Sequence, residues 1–207
     1  MDAGGLKVGV LALQGSVEEH ARALEGLGCA VVQIRDAKDW GLDDGKPDFA
    51  GLIIPGGEST TLGKLLQSTG LDRLIARSAQ EGFPIYGTCA GLILMAGRIT
   101  GQRGPSLSLM DLDVERNAYG RQVESFEADL EIPEIGNPPF HGVFIRAPRI
   151  KSVGDSVRVL ATLNGEPVFA RQGSFLVSTF HPELTGDPRV HRYFVQMAAG
   201  TSPTLGD

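Results

Sequence analysis

Short apolar runs alternate with stretches of helical periodicity through the first half of the sequence. Lys7-Val8-Gly9-Val10-Leu11-Ala12-Leu13 has the unbroken apolar character of a buried strand. Ser16 to Leu27 follows as a helix with Val17, Ala21, Leu24 and Leu27 on one face. Ser16 is placed to cap that helix, with Glu19 completing a capping box and Gly28 ending it. Ala30 to Ile34 and Gly51 to Ile54 are the next strands, the latter followed by a helix through Leu62, Leu65 and Leu66. A further helix, Leu71 to Glu81, leads into the strand Phe83-Pro84-Ile85-Tyr86. Repeated strand–helix units predict an α/β fold with a mainly parallel central sheet, helices on both faces, and functional loops at the strands' C-terminal ends.

From about Leu109 the pattern changes to shorter strand-like runs: Phe126 to Glu131, Phe140 to Ile145, Val157 to Leu163, Pro167 to Ala170 and Phe175 to Phe180. These are expected as additional antiparallel strands, on the same sheet or in a small second one, with Asn164-Gly165 turning a hairpin. A last helix, Pro188 to Ala199, should return to the core through Val190, Phe194, Val195 and Met197. The expected organisation is a single domain over residues 7–199, with a disordered extension at 1–6 and a disordered tail at 200–207; a chain of 207 residues can bury one core of this kind.

The formal net charge is −6, with no basic block and no basic–aromatic interleaving, which argues against a nucleic-acid partner. No apolar run is long enough to span a bilayer and the first residues do not resemble a secretory signal, so no membrane association and a cytoplasmic location are expected. The two cysteines, Cys29 and Cys89, have no metal-ligand spacing, and a disulfide between them would be unusual in a reducing compartment. Cys29, after Leu27-Gly28, reads as packing.

Cys89 differs. It sits in Gly87-Thr88-Cys89-Ala90-Gly91, between the fourth strand and the apolar stretch Leu92-Ile93-Leu94-Met95-Ala96, so a strand, a tight turn and a helix carry a thiol at the tip. Glycine two residues to either side allows a strained turn and close approach of neighbouring chain, and should leave the sulfur exposed. Free N–H groups at the start of the helix favour thiolate over thiol. The competing interpretation of such a cysteine is a buried packing residue.

A second motif tips that choice. The run Phe175 to Phe180 ends in His181-Pro182-Glu183, which in extended chain puts an imidazole and a carboxylate on the same side with a stiff proline between. Glu183 can then hold the tautomer and orientation of His181 while the other ring nitrogen addresses Cys89. By itself the tripeptide is more often a polar turn after an edge strand. A third signal is Pro55-Gly56-Gly57-Glu58-Ser59, after a strand. Its glycines let backbone approach a ligand, so Gly57 could supply one oxyanion donor and Ala90, the residue after the nucleophile, another. The same segment also reads as a strand-to-helix turn capped by Ser59.

Cysteine in Gly-x-Cys-x-Gly with His-Pro-Glu near the C-terminus resembles the class I glutamine amidotransferases, whose fold is flavodoxin-like. The resemblance narrows through Gly9-Val10-Leu11-Ala12-Leu13-Gln14-Gly15, Pro55 to Thr61, Gly87 to Leu92, Val114-Glu115-Arg116-Asn117, Tyr119-Gly120-Arg121-Gln122, Gly142 to Pro148 and Phe180 to Leu184. Together these are similar to the family of glutaminase subunits of pyridoxal phosphate synthase, over about Lys7 to Met197. Other class I enzymes usually follow the elbow with Met-Gln or His-Gln, where this chain has Leu92-Ile93, a departure that fits this branch.

The resemblance implies that Cys89 is the nucleophile, His181 the general base and acid, and Glu183 its orienter. It implies a glutamine site lined by Gly57, Glu58 and Ser59, with Arg116, Ile145 and Arg146 on the opposite wall and Gln14 in a supporting role. It further implies hydrolysis of L-glutamine to glutamate and ammonia with no cofactor and no metal, and a synthase subunit as partner that takes up the ammonia for pyridoxal 5'-phosphate (vitamin B6) biosynthesis. Two other functions compete: a cysteine hydrolase of another class, which leaves Glu183 and the Pro-Gly-Gly loop without purpose, and a binding module that has lost turnover, which leaves Cys89, His181 and Glu183 without one.

Overall fold

The computed structural model describes residues 5–41, 46–100, 104–116 and 125–201. Asn117 and the Tyr119-Gly120-Arg121-Gln122 block, the tail beyond 201 and residues 1–4 lie outside them. Gly5 donates its N–H to the Gly28 carbonyl at 3.3 Å, and Thr201 to that of Gln196 at 3.0 Å.

The first half follows the alternation closely. Strands β1 (Lys7–Leu11), β2 (Ala30–Ile34), β3 (Leu52–Ile54) and β4 (Ile85–Thr88) alternate with helices α1 (Val17–Glu25), α2 (Ser59–Thr69), α3 (Leu71–Gln80) and α4 (Ala90–Met95). The expected cap of α1 does not form: Ser16 makes no side-chain cap bond, and the helix ends at Gly26 rather than Gly28. Polar residues between β2 and β3 include a 3-10 turn, Ala37–Trp40, that drives the Trp40 ring into the core at 0% exposure.

The second half supplies β5 (Ala96–Thr100), β6 (Met110–Glu115), β7 (Ser125–Leu130), β8 (Phe140–Ile145), β9 (Arg149–Val153), β10 (Arg158–Leu163), β11 (Glu166–Gln172), β12 (Phe175–Ser178) and a last helix, α5 (Arg189–Ala198). The central sheet runs β10-β11-β12-β4-β3-β1-β2. Strands β12, β4, β3, β1 and β2 are mutually parallel, and β10 and β11 add antiparallel at one edge through the hairpin at Asn164 and Gly165, both at positive φ. The run beginning at Phe175 is thus a correction: it was expected among antiparallel additions, yet β12 pairs parallel with β4. Its buried pattern, with Leu176, Val177 and Ser178 all inaccessible, is that of a strand covered on both faces. Two smaller sheets, β5-β6-β9 and β7-β8, pack outside the main one.

Alternation along the central strands feeds two cores. Leu11, Leu52 and Ile54 pack with α2, α3, α4 and the β5-β6-β9 sheet, whereas Val8, Val10 and Ile53 face α1, α5 and the β7-β8 hairpin. Val190, Phe194, Val195 and Met197 bury α5 as its periodicity requires. Among the described residues, no helix is long and apolar enough to cross a membrane. Every parallel strand except edge strand β2 therefore delivers its C-terminal end, held from both faces, to one rim.

Candidate active site

Along that rim the loops after β1, β3, β4 and β12 meet in a cleft of about 510 Å³. Cys89 forms the elbow between β4 and α4, at φ 47° and ψ −98°, a strained conformation for a residue with a side chain. Its N–H donates to the Ser178 carbonyl at 2.9 Å, so the strained residue is tied to β12. Glycine is required at position 91, since a Cβ there would run into the Ile54 carbonyl. The expectation of an exposed sulfur is corrected: Cys89 is 7% accessible, and it contacts the cleft floor beneath Ile145, whose carbonyl lies 3.9 Å from Sγ. At six residues α4 is short, so the local N–H groups at its start matter more than any long-range dipole.

Gly56 packs against both partners. A Cβ at that position would collide with Cε1 of His181 and come within 3.4 Å of the Cys89 Cβ. His181 is fixed by its own N–H, which donates to the Val143 carbonyl at 2.8 Å. The His-Pro-Glu segment is not the extended chain expected. His181 caps a 3-10 turn, Pro182–Leu184, and the turn brings Glu183 round so that Oε1 lies 2.8 Å from His181 Nδ1. Both side chains are buried, at 8% and 0% exposure.

Electrostatics polarise this pair strongly. Burial opposes charge on His181 most, yet its hydrogen bonds with Cys89 and Glu183 and the charges of both outweigh it, and the imidazole is pushed up to about 10. Burial likewise opposes charge on Glu183, but His20 and His181 overcome it and hold the carboxyl at about 2. The proton therefore rests on the imidazole across the neutral range.

The loop after β3 presents Gly57, Glu58 and Ser59 to the cleft. Glu58, not Ser59, caps α2: its carboxylate accepts from the N–H groups of Thr60 at 3.0 Å and Thr61 at 2.7 Å, and from the Thr61 hydroxyl. The Thr61 hydrogen bond, first among these, holds Glu58 down at about 2. Gln14 accepts from the Glu58 N–H at 3.0 Å and packs on Gly57, which fixes the loop to the end of β1. Arg116 lines the cleft but stands beside Glu58 rather than across from it, because its Nη2 donates to Thr60 Oγ1 at 2.9 Å and lies 3.3 Å from Glu58 Oε1. Ile145 and Arg146 form the other wall, Arg146 at a positive φ of 43°. Ala90 heads α4, where N–H groups have no intrahelical acceptor.

Two histidines that the sequence did not single out lie behind Glu183, His20 in contact with it and His191 in contact with His20. His20 on α1 lies 3.5 Å from Glu183 Oε2 and 3.3 Å from Thr88 Oγ1, and its Nδ1 is 2.9 Å from Nε2 of His191 on α5. The only signal available was a histidine on the apolar stripe of each helix: His20 between Val17 and Leu24, His191 beside Val190. Cys29 is buried, as packing requires. Among the described residues, no group of His, Cys, Asp and Glu is placed to hold a metal ion.

The SNO glutamine amidotransferase family model matches residues 10–199. The chain is 53% identical over 191 residues to the pyridoxal 5'-phosphate synthase subunit PdxT of Pelotomaculum thermopropionicum, covering 92% of this chain and 94% of that one. To the PdxT subunit of Thermus thermophilus it is 53% identical over 193 residues, covering 92% and 97%. A crystal structure of a glutamine amidotransferase superposes with a TM-score of 0.86 at 48% identity, over 93% of this chain and 98% of that one.

Proposed function

With that match spanning nearly its whole length, the chain belongs to the SNO glutamine amidotransferase family, and on this premise we propose that it is the glutaminase of a pyridoxal 5'-phosphate synthase, hydrolysing L-glutamine through Cys89, His181 and Glu183. The observation that carries the triad is the buried 2.8 Å contact of His181 with Glu183, beside a cysteine on a strained elbow, with Gly56 packed closely against both His181 and Cys89.

In the proposed reaction Cys89, as its thiolate, attacks the side-chain amide carbon of glutamine. The oxyanion is received by backbone N–H groups of Gly57 and Ala90. His181 then gives its proton to the departing nitrogen, ammonia leaves, and a γ-glutamyl thioester remains on Cys89. Water, deprotonated by the now neutral His181, cleaves that thioester to glutamate, and Cys89 leaves as the thiolate beside the protonated His181, ready for the next cycle. Arg116 and Arg146 bind the α-carboxylate of glutamine by charge-assisted hydrogen bonds, Ile145 packs on its aliphatic chain, and Glu58 and Ser59 complete the wall. Residues 7–199 are the unit that does this, without metal or organic cofactor.

Ammonia set free in neutral water is protonated and no longer nucleophilic, so a second subunit must receive it directly. The relatives named as synthase subunits support such a partner, and a biosynthetic complex of this kind works in the cytoplasm. The test is glutamate release by the purified chain with and without a pyridoxal 5'-phosphate synthase subunit. Turnover that rises sharply on addition of that subunit is the expected result. Glutamine left intact under both conditions would hand the cleft to another amide or thioester substrate.

A further inference from the structure

Behind Glu183, on the side away from the cleft, two imidazoles are sealed from solvent. His20 and His191 are each 0% exposed and come from helices at opposite ends of the chain. Glu183 Oε2 makes no hydrogen bond among the described residues, and neither does His191 Nδ1. These two orphaned atoms, at the two ends of one short chain of contacts, select the same proton placement.

At the Glu183 end, His20 Nε2 lies 3.5 Å from Oε2. A bare nitrogen there would set a lone pair against a carboxylate oxygen, whereas an N–H is attracted to it and also reaches Thr88 Oγ1 at 3.3 Å. His20 must then leave Nδ1 bare, so the 2.9 Å contact is donated by His191 Nε2–H. At the far end His191 Nδ1 is consequently the bare atom. A buried lone pair without a donor is tolerated more readily than a buried N–H without an acceptor. The opposite tautomers would strand an N–H at His191 and repel the carboxylate at Glu183. The groups facing His20 are Glu183 and His181 on the turn after β12, His191 on α5, Thr88 at the end of β4 and Glu19 on its own helix; burial outweighs their net effect and keeps the ring neutral.

We propose that His20 is a positioning residue for glutamine hydrolysis: its Nε2–H, oriented by His191, holds Oε2 of Glu183 so that Oε1 stays aimed at His181. N–H donors then converge on Glu183 from both sides, His181 from the cleft and His20 from the core. This assignment rests on the glutaminase reading above.

Two measurements test it, the first without any turnover. The chain contains four histidines, and nitrogen-15 chemical shifts of the labelled, unsubstituted protein report each ring's tautomer. Neutral Nε2–H forms are expected for both His20 and His191; an Nδ1–H form at His20 would overturn the proposal, whatever the substrate proves to be. The second compares variants in complex with the synthase subunit. For His20→Leu, kcat is expected to fall about tenfold with KM changed less than about twofold, and the His181 titration to move down by about one pH unit. His20→Gln, whose amide N–H can reach toward Oε2, should recover to within about threefold of the unsubstituted rate. An unchanged His181 titration in His20→Leu, or a loss that His20→Gln does not restore, would reduce His20 to packing. If His20→Leu does not fold, the tautomers of the unsubstituted chain still decide. Absence of glutamine turnover in the unsubstituted complex would fault the glutaminase reading, separately from the proton placement.

Discussion

His181 has two very different flanks. On the core side stands Glu183, its side chain fully buried, with His20, Thr88 and His191 behind it. On the cleft side stand Glu58, 53% exposed, Arg116, 14% exposed, and the open wall of Ile145 and Arg146. The core flank fixes proton positions in a low-dielectric interior where one misplaced N–H is expensive. The cleft flank uses charges in reach of water, where each contact is weaker and can be exchanged for a ligand's. The two flanks of one imidazole thus differ in burial and in charge. Substitutions on the two sides should fail in different ways.

The largest effects belong to the pair at the boundary. Cys89→Ala and His181→Asn are expected to lower kcat for glutamine hydrolysis by about 10³-fold or more, as triad deletions do; steady-state glutamate release measures this, and a residual rate within tenfold of the original would remove either residue from its role. Glu183→Gln keeps an acceptor for His181 but turns an amide toward His20. A loss of about 10²-fold in kcat with KM little changed is expected, and a neutral outcome would make the core flank mere scaffolding. On the cleft flank the signature inverts. Arg116→Ala should raise KM about tenfold with kcat far less affected, since it removes binding common to ground and transition states. A kcat effect larger than the KM effect would erase the contrast between the flanks.

Stability against pH sharpens the same contrast. His191 is held down to about 3, first by burial, and His20 is lowered for the same reason. The unfolded chain therefore binds more protons than the folded one between about pH 6.5 and 3, and stability is lost as pH falls through that window. His181 is raised to about 10, so its contribution is complete below about pH 6.5 and is lost as pH rises toward 10. Tm should peak near pH 6.5, with His191→Gln flattening the acid limb and His181→Asn the alkaline one. A Tm profile with the acid limb intact in His191→Gln would dissociate the buried imidazoles from acid sensitivity. The smallest effect is at Glu58, whose cap of α2 accounts for about 1 kcal/mol; Glu58→Ala should lose that much in a denaturant melt.

What could be read in the sequence follows a physical divide. The strands before Cys89 are short, largely apolar runs, and the elbow and His-Pro-Glu are contiguous motifs, so both are legible in the sequence. The β6 segment, Met110-Asp111-Leu112-Asp113-Val114-Glu115, alternates strictly but carries three carboxylates and lies outside the central sheet, so it stands apart from the apolar runs that mark the other strands. Ala96–Thr100 was hidden because it continues α4 without a break and was partly assigned to that helix. His20 and His191 were illegible for a different reason. Each sits on the apolar stripe of an amphipathic helix, 171 positions apart, and only packing of α1 against α5 makes them neighbours. Arg116 is identifiable by motif, but its place beside Glu58 depends on the end of β6 being brought to the start of α2, which local pattern does not encode.

The central claim, that Cys89 carries the glutamyl group, is tested most directly by acid-quenching the complex during turnover with glutamine and weighing the peptide that contains position 89. The account predicts one γ-glutamyl group attached to Cys89, absent in Cys89→Ala and lost when turnover ends. Glutamate formed at the usual rate with that peptide unmodified at every quench time, and formed equally by Cys89→Ala, would contradict it.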